Sequence, residues 1–196
     1  MSLNIRAFTG ESANQYKSSL AALRIQVFRE FPYLYDGSVE YEEKYLETFI
    51  QSEESVIVVA FDGEEVIGVS TGIPLKNEPI EIQQDWINGG YNIEEIFYFS
   101  ESVLNKDYRG HGIGVRFMEE REKWARQLGY KKAIFCGVIR DETHPRRPKN
   151  FVPLDRFWEK RGFSKKEGFT CKISWKEMDE TEESEKELQF WEKDLV

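Results

Sequence analysis

Apolar and polar positions alternate from Leu3–Phe8, a period of two that predicts a first strand. The period then lengthens. Within residues 12–30, Leu20, Leu23, Val27 and Phe28 recur at helical spacing, and Pro32 with Asp36-Gly37 ends that helix before a second one over 41–50. The β-branched run SVIVVAF (55–61), the pair Asp62-Gly63 and a returning strand over 66–73 read as a hairpin. Residues 76–90 are polar, with a short helix expected at 83–87.

The stretch 93–104 is aromatic-rich and extended, and it ends at Asn105-Lys106-Asp107. Residues 109–114 are dense in glycine. An amphipathic helix over 115–128 follows, with Phe117, Met118, Trp124, Ala125 and Leu128 as its buried stripe and Gly129 just past its end. A strand over 133–139, a loop of cations and prolines (140–148), a helix over 153–160 opened by Pro153, and a strand over 169–175 complete the pattern. Residues 180–187 favour helix by propensity, but the reading adopted for 188–191 is an edge strand after an acidic loop. This order is mixed α/β, with antiparallel hairpins early and a strand–helix–strand crossover in the middle. Neither a repeat nor a linker interrupts it, so one domain over residues 1–196 is expected.

Composition narrows the classes. Fourteen Phe, nine Tyr and five Trp supply a core that needs no disulfide or metal to hold it. The two cysteines, Cys136 and Cys171, form no CxxC pair and read as reduced thiols, Cys136 as a small core residue. The formal charge of -9 is partly local, because six acids and one Lys lie between Asp179 and Glu187. An acidic balance opposes nonspecific nucleic-acid binding and suits cationic substrates such as amines. Only His111 and His144 are present and neither has a ligand-spaced partner, so no metal is expected. No apolar run reaches the roughly 20 residues of a bilayer span, and MSLNIRAF is no signal peptide, so a soluble cytoplasmic protein without a membrane partner is expected.

The sharpest local signal is Arg109-Gly110-His111-Gly112-Ile113-Gly114, between a predicted strand and a predicted helix. Glycines there let backbone N–H groups face outward, and the helix start adds its positive dipole end, which together make an anion site. A phosphate or diphosphate is the natural occupant, with Arg109 as a charged contact or as a loop anchor; a ligand-free turn is the other reading. A Walker A loop is absent, and the dinucleotide fingerprint fails because Phe117 stands where its third glycine belongs.

These residues resemble the acyl-CoA signature of the GCN5-related N-acetyltransferases (GNAT): Arg or Gln, two residues, Gly, one residue, then Gly or Ala, met by Arg109, Gly112 and Gly114. FWEKRGF (157–163) resembles the family's later helix–Gly–Phe segment. The resemblance implies the acyl-CoA N-acyltransferase fold: a central, mostly antiparallel sheet with splayed fourth and fifth strands and flanking helices. It further implies acetyl-CoA as cosubstrate and a small or peptidic primary amine that attacks the thioester directly. Pantetheine would lie beside Ser102, Val103 and Leu104. The diphosphate would sit on the amides of Arg109, Gly110, His111, Gly112, Ile113, Gly114 and Val115. An amide near a bulge in the fourth strand would hold the oxyanion.

For the proton acceptor the resemblance points to Glu101, at the strand end, and then to Glu95 upstream on the same strand. Trp158 stands at the cofactor-side position where the family often has a tyrosine acid, and an indole N–H is no acid at accessible pH. That leaves Tyr98 or Tyr108 as a substitute, or a thiolate that departs unaided. The family's asparagine seven positions earlier is also replaced, by Phe151. The aromatic segment FREFPYLY places Phe31, Tyr33 and Tyr35 as an acceptor wall or cation–π cage, or as an ordinary helix corner. Arg140, Arg146 and Arg147 would meet an acidic acceptor or the CoA ribose phosphate, or stand solvated. The alternative function is a noncatalytic acyl-CoA sensor on the same fold, favoured by Trp158. An edge strand near the C-terminus would allow a homodimer.

Overall fold

The computed structural model describes residues 2–195. Its strands are β1 (Leu3–Phe8), β2 (Val56–Asp62), β3 (Glu65–Pro74), β4 (Ile96–Leu104), β5 (Lys132–Val138), β6 (Ser164–Trp175) and β7 (Ser184–Asp194). The helices are α1 (Lys17–Phe28), α2 (Val39–Ile50), α3 (Ile80–Asn88), α4 (Ile113–Gln127) and α5 (Asp155–Glu159). The strands form one seven-stranded sheet in the order β1-β2-β3-β4-β5-β7-β6. Every neighbouring pair is antiparallel except β4 and β5, which run parallel. A parallel pair needs a long crossover, and α4 supplies it.

Both faces of the sheet are covered, which explains why β2 is an unbroken apolar run and is buried from Val56 to Phe61. Its alternate residues enter two cores. Ile57, Val59 and Phe61 pack with Leu20 of α1, Leu46 of α2 and Trp86 of α3. Val56, Val58 and Ala60 pack with Phe117, Met118 and Ala125 of α4, with Phe157 and Trp158 of α5 against that cluster. The central strands are thereby fixed from two sides, and the space between β4 and β5 lies at the meeting of both layers.

Three expectations from the pattern are corrected. The first helix opens as a 3-10 stretch (Gly10–Tyr16), and only Lys17–Phe28 is α-helical. Leu128 is 38% exposed rather than part of the α4 stripe, because the helix ends at Gln127 and the chain turns through Gly129. The C-terminal segment is a strand but not an edge: β7 sits between β5 and β6, and β1 and β6 are the edges. Its Leu188, Phe190 and Trp191 are each at most 3% exposed, so they bury too much apolar surface for an edge position.

Candidate active site

β4 and β5 pair only at Ile96↔Lys132, Phe97↔Ala133 and Tyr98↔Ile134; beyond these, β5 continues beside β7 alone. The strands part into a cleft of about 2620 Å³. At the same point β4 carries one extra residue against β3, since Thr71 pairs with Glu101 and Ile73 with Tyr98. The bulge turns Ser100 and Glu101 to the same face, against α1 and α2, and sends Ser102 to the α4 face.

On the α4 side, Gly110 (φ +85°) and Gly112 (φ +79°) adopt left-handed backbone, and a Cβ at either would meet nothing within 4 Å. The open side of this turn faces the cleft, which Arg109, Gly110, Gly112, Ile113, Gly114 and Val115 all line. The Arg109 amide is spent on Lys106 O (3.2 Å) and the Val115 amide on Gly112 O (3.1 Å). Among the described residues, the Gly112, Ile113 and Gly114 amides meet no acceptor, and they head a fifteen-residue helix. A bare cradle of this kind fits a diphosphate. His111 turns back, its Nδ1 3.2 Å from Arg109 O. Arg109 ties the loop to its surroundings, donating from Nη2 to Glu30 Oε2 at 2.8 Å and to Leu104 O at 3.2 Å. Ser102 and Leu104 line the cleft, whereas the Val103 side chain is buried in the α1–α2 core.

On the other side, Glu101 is 9% exposed and its Oε1 lies 2.5 Å from Arg24 Nη1. Its Oε2 accepts a hydrogen bond from Tyr45 at 2.9 Å. Arg24 Nε also donates to the fully buried Glu42, and the guanidinium lies 4.2 Å from the Tyr45 ring. Burial disfavours the Arg24 charge, but Glu101 and Glu42 outweigh that and raise its pKa. Glu101 is therefore part of a buried ion network rather than a free carboxylate. Glu95 sits in the 3-10 turn before β4, pairs with Lys131 at 2.5 Å and does not line the cleft. Tyr98 does line it, but its hydroxyl is held 3.0 Å from Cys136 Sγ, and burial raises its pKa well above 10.

The aromatic segment gathers at the mouth. Phe31 packs against Phe151 (4.7 Å between centroids) and His144 (5.5 Å), Tyr33 against Phe28 and Trp175, and Tyr35 against Phe28. All three line the cleft half-buried. Trp158 packs between Phe135 of β5 (4.9 Å) and Trp191 of β7 (5.0 Å). Gly137 admits it, since a Cβ there would stand 3.1 Å from the indole. Arg140 is occupied by Pro32 O at 2.7 Å and by Glu177 at 2.6 Å, and Arg147 lies over Phe151.

Two residues absent from the sequence reading stand at the bulge. Glu78, after β3, accepts from Ser100 Oγ at 3.1 Å, and burial together with nearby Glu101 pushes its pKa up to about 7 despite that bond. Arg121 of α4 is 2% exposed; its Nη1 donates to Thr71 O and Glu101 O, and burial lowers its pKa to about 9. The signal for Arg121 and Arg24 was a charge on an apolar stripe, four residues after Phe117 and Leu20 respectively. Glu78 carried no such signal, lying in a polar connection between Asn77 and Pro79.

Residues 22–163 match the model of the acetyltransferase (GNAT) family. The chain belongs to that family. Comparison with the curated proteins yields no match. Among solved structures, the chain is similar to an N-acetyltransferase from Staphylococcus aureus Mu50, with 17% identity, all of both chains covered and a TM-score of 0.62. It is also similar to a ribosomal-protein-alanine N-acetyltransferase from Brucella melitensis (16% identity, 97% and 99% covered, TM-score 0.63). A third is yncA from Salmonella typhimurium, solved with its cofactor acetyl-CoA (10% identity, 100% and 95% covered, TM-score 0.61). At these identities the likeness speaks for the fold, and the expected GNAT sheet with its splayed fourth and fifth strands is the one observed.

Proposed function

We propose that this GNAT protein transfers the acetyl group of acetyl-CoA to a primary amine, with Glu78 as the proton acceptor. The observation that carries the reading is a carboxylate that burial pushes up to about 7, held at a strand bulge beside a cleft that ends in a cradle of amides without protein acceptors. Amides from Gly110 to Gly114 would hold the diphosphate, with Arg109 beside them. Pantetheine would lie along the edge of β4 beside Ser102, Val103 and Leu104, where β5 has moved away. The amine would enter past Phe31, Tyr33 and Tyr35.

An ammonium must lose its proton before its nitrogen can attack. A base near the working pH does this best, because a carboxylate at its ordinary pKa is too weak and one held near 7 is half ionised at neutrality. Glu101, bound by Arg24 and Tyr45, would shape the field around the acceptor, and Glu95 lies too far out to take part. The C–N bond then forms, the nitrogen sheds its second proton to solvent, the C–S bond breaks, and the sulfur leaves with its electron pair as a thiolate. Trp158 offers no proton, and a thiol pKa near 8.5 lets the thiolate depart without one.

A noncatalytic acyl-CoA sensor remains the second reading, favoured by Trp158 and opposed by the tuned Glu78. An acetyl-CoA thiol-release screen across amine classes separates the two. Amine-dependent release supports transfer, whereas tight acetyl-CoA binding with no release across the panel supports the sensor.

A further inference from the structure

Arg121 is a buried arginine whose charge the packing does not explain. It is 2% exposed and forms no ion pair among the described residues. The groups it touches, Met118 Sδ at 3.0 Å from Nη2 among them, are neutral. Nη1 donates to Thr71 O at 3.2 Å and Glu101 O at 3.1 Å, the pair at one end of the β4 bulge. Nη2 donates to Ser102 Oγ at 2.8 Å, Nε donates to Phe117 O at 3.2 Å, and the Phe99 ring lies 4.4 Å from the guanidinium carbon. Burying an unpaired cation is costly, and a neutral amide could bond the same carbonyls at lower cost. Glu101, the nearest acid on β4, is turned to the opposite face and given to Arg24. A positive charge is thus kept with no carboxylate in contact, only the longer-range pull of Glu101 and Glu122, against the strand that borders the cleft and about two turns beyond the helix start that carries the amide cradle.

We propose that Arg121 is a positioning residue for acyl transfer: it clamps the bulge and places a fixed positive field where the thioester sulfur becomes a thiolate. The proposal rests on the acetyl-transfer reading above. In the step it serves, the amine nitrogen bonds to the acyl carbon, the carbon–sulfur bond breaks, and the sulfur keeps the electron pair. Of the two protons the ammonium loses on becoming an amide, the first has gone to Glu78 and the second goes to solvent, and Arg121 gives up none. A preorganised charge in a water-poor cleft stabilises that sulfur without reorganisation, and this fills the part left vacant by a tryptophan at position 158.

The test is the ultraviolet thiolate titration of coenzyme A bound to the purified protein. In the wild type the bound thiol is expected to titrate at lower pH than free coenzyme A. In Arg121→Met and Arg121→Gln it should move up by about one unit, with the calorimetric Kd for coenzyme A changed by no more than about threefold. Turnover with an accepted amine should fall about 10²-fold in kcat, with little change in the KM for acetyl-CoA. Arg121→Lys, which keeps the charge and loses the fork, should retain the lowered thiol, and it gives the answer where the neutral variants fail to fold. A bound thiol that titrates as the free one in the wild type or in Arg121→Lys overturns the proposal. So does a folded neutral variant that leaves the titration unmoved, or one that loses affinity and turnover in equal measure. A lowered thiol in a wild-type protein that acetylates no amine would remove the transferase reading and leave the effect of Arg121 standing.

Discussion

The Glu78 carboxylate meets the Ser100 hydroxyl at 3.1 Å, joining the loop after β3 to the residue that the β4 bulge turns to the same face as Glu101. Without the extra residue in β4, strict alternation would put Ser100 and Glu101 on opposite faces. The bulge therefore brings two carboxylates, Glu78 and Glu101, to one side of the cleft. Only Glu101 receives a cation, Arg24, and Glu78 is left with a raised pKa.

Glu78→Gln is expected to lower kcat/KM by about 10²–10⁴-fold, the usual worth of a general base. The base works deprotonated, so the wild-type rate should climb with pH through about 7 and then level off, and the variant should lose that limb. Stability runs the other way. A carboxyl held above its unfolded pKa contributes most below about 4.5 and loses that contribution as pH rises through about 7. The variant should therefore melt at higher temperature than the wild type at pH 8 and show no such gain at pH 4. A rate limb retained in the variant would remove Glu78 from the mechanism.

Arg24→Met is expected to destabilise the fold by about 3–5 kcal/mol in chemical denaturation, because it strands two buried carboxylates. Glu42 is fully buried and Glu101 nearly so, and Arg24 is the cation they share. Adding Glu42→Gln and Glu101→Gln should recover most of the loss. A single-variant cost under about 1 kcal/mol would mean that the network contributes little.

The glycine turn before α4 was legible in the chain and the charged groups at the β4 bulge were not, for a physical reason. The amide cradle is local: glycines at 110, 112 and 114 and the helix after them lie within a few residues, so spacing alone exposes it. The sheet followed from period-two runs and turn residues, and even β7 was read as a strand. Its interior place depends on pairing with β5, which is 46 or more residues away and leaves no local mark. The carboxylates at the bulge are nonlocal as well. Glu78 gains its character from Ser100 and Glu101, and Glu101 loses its freedom to Arg24, which lies 77 positions earlier. A carboxylate at a strand end looks the same in sequence whether it is solvated or captured.

Gly112→Ala should separate backbone strain from ligand contact. The left-handed φ of +79° costs an alanine about 1–2 kcal/mol of stability, although its methyl would meet nothing within 4 Å. Gly112→Asp adds a negative charge beside the proposed diphosphate and should weaken coenzyme A by at least about tenfold more than alanine does. Calorimetry with coenzyme A reads both, and wild-type affinity in the aspartate variant would take the loop out of the binding site.

Glu30→Gln is expected to tighten coenzyme A about threefold at low ionic strength, an advantage that fades as salt is added. Glu30 holds Arg109 Nη2 at 2.8 Å, so a carboxylate occupies the guanidinium that opens the glycine turn. Both side chains are more than a third exposed, so the pair contributes only about 0–1 kcal/mol to the fold and its loss should leave the melting temperature nearly unchanged. A diphosphate is a stronger competitor for the guanidinium than a lone carboxylate, but it must displace Glu30 and approach its negative charge. Removing that charge while keeping the side-chain volume relieves both costs. Titration of coenzyme A into each protein at low and high salt decides the matter: affinity equal to or weaker than wild type at low salt would place the diphosphate away from Arg109.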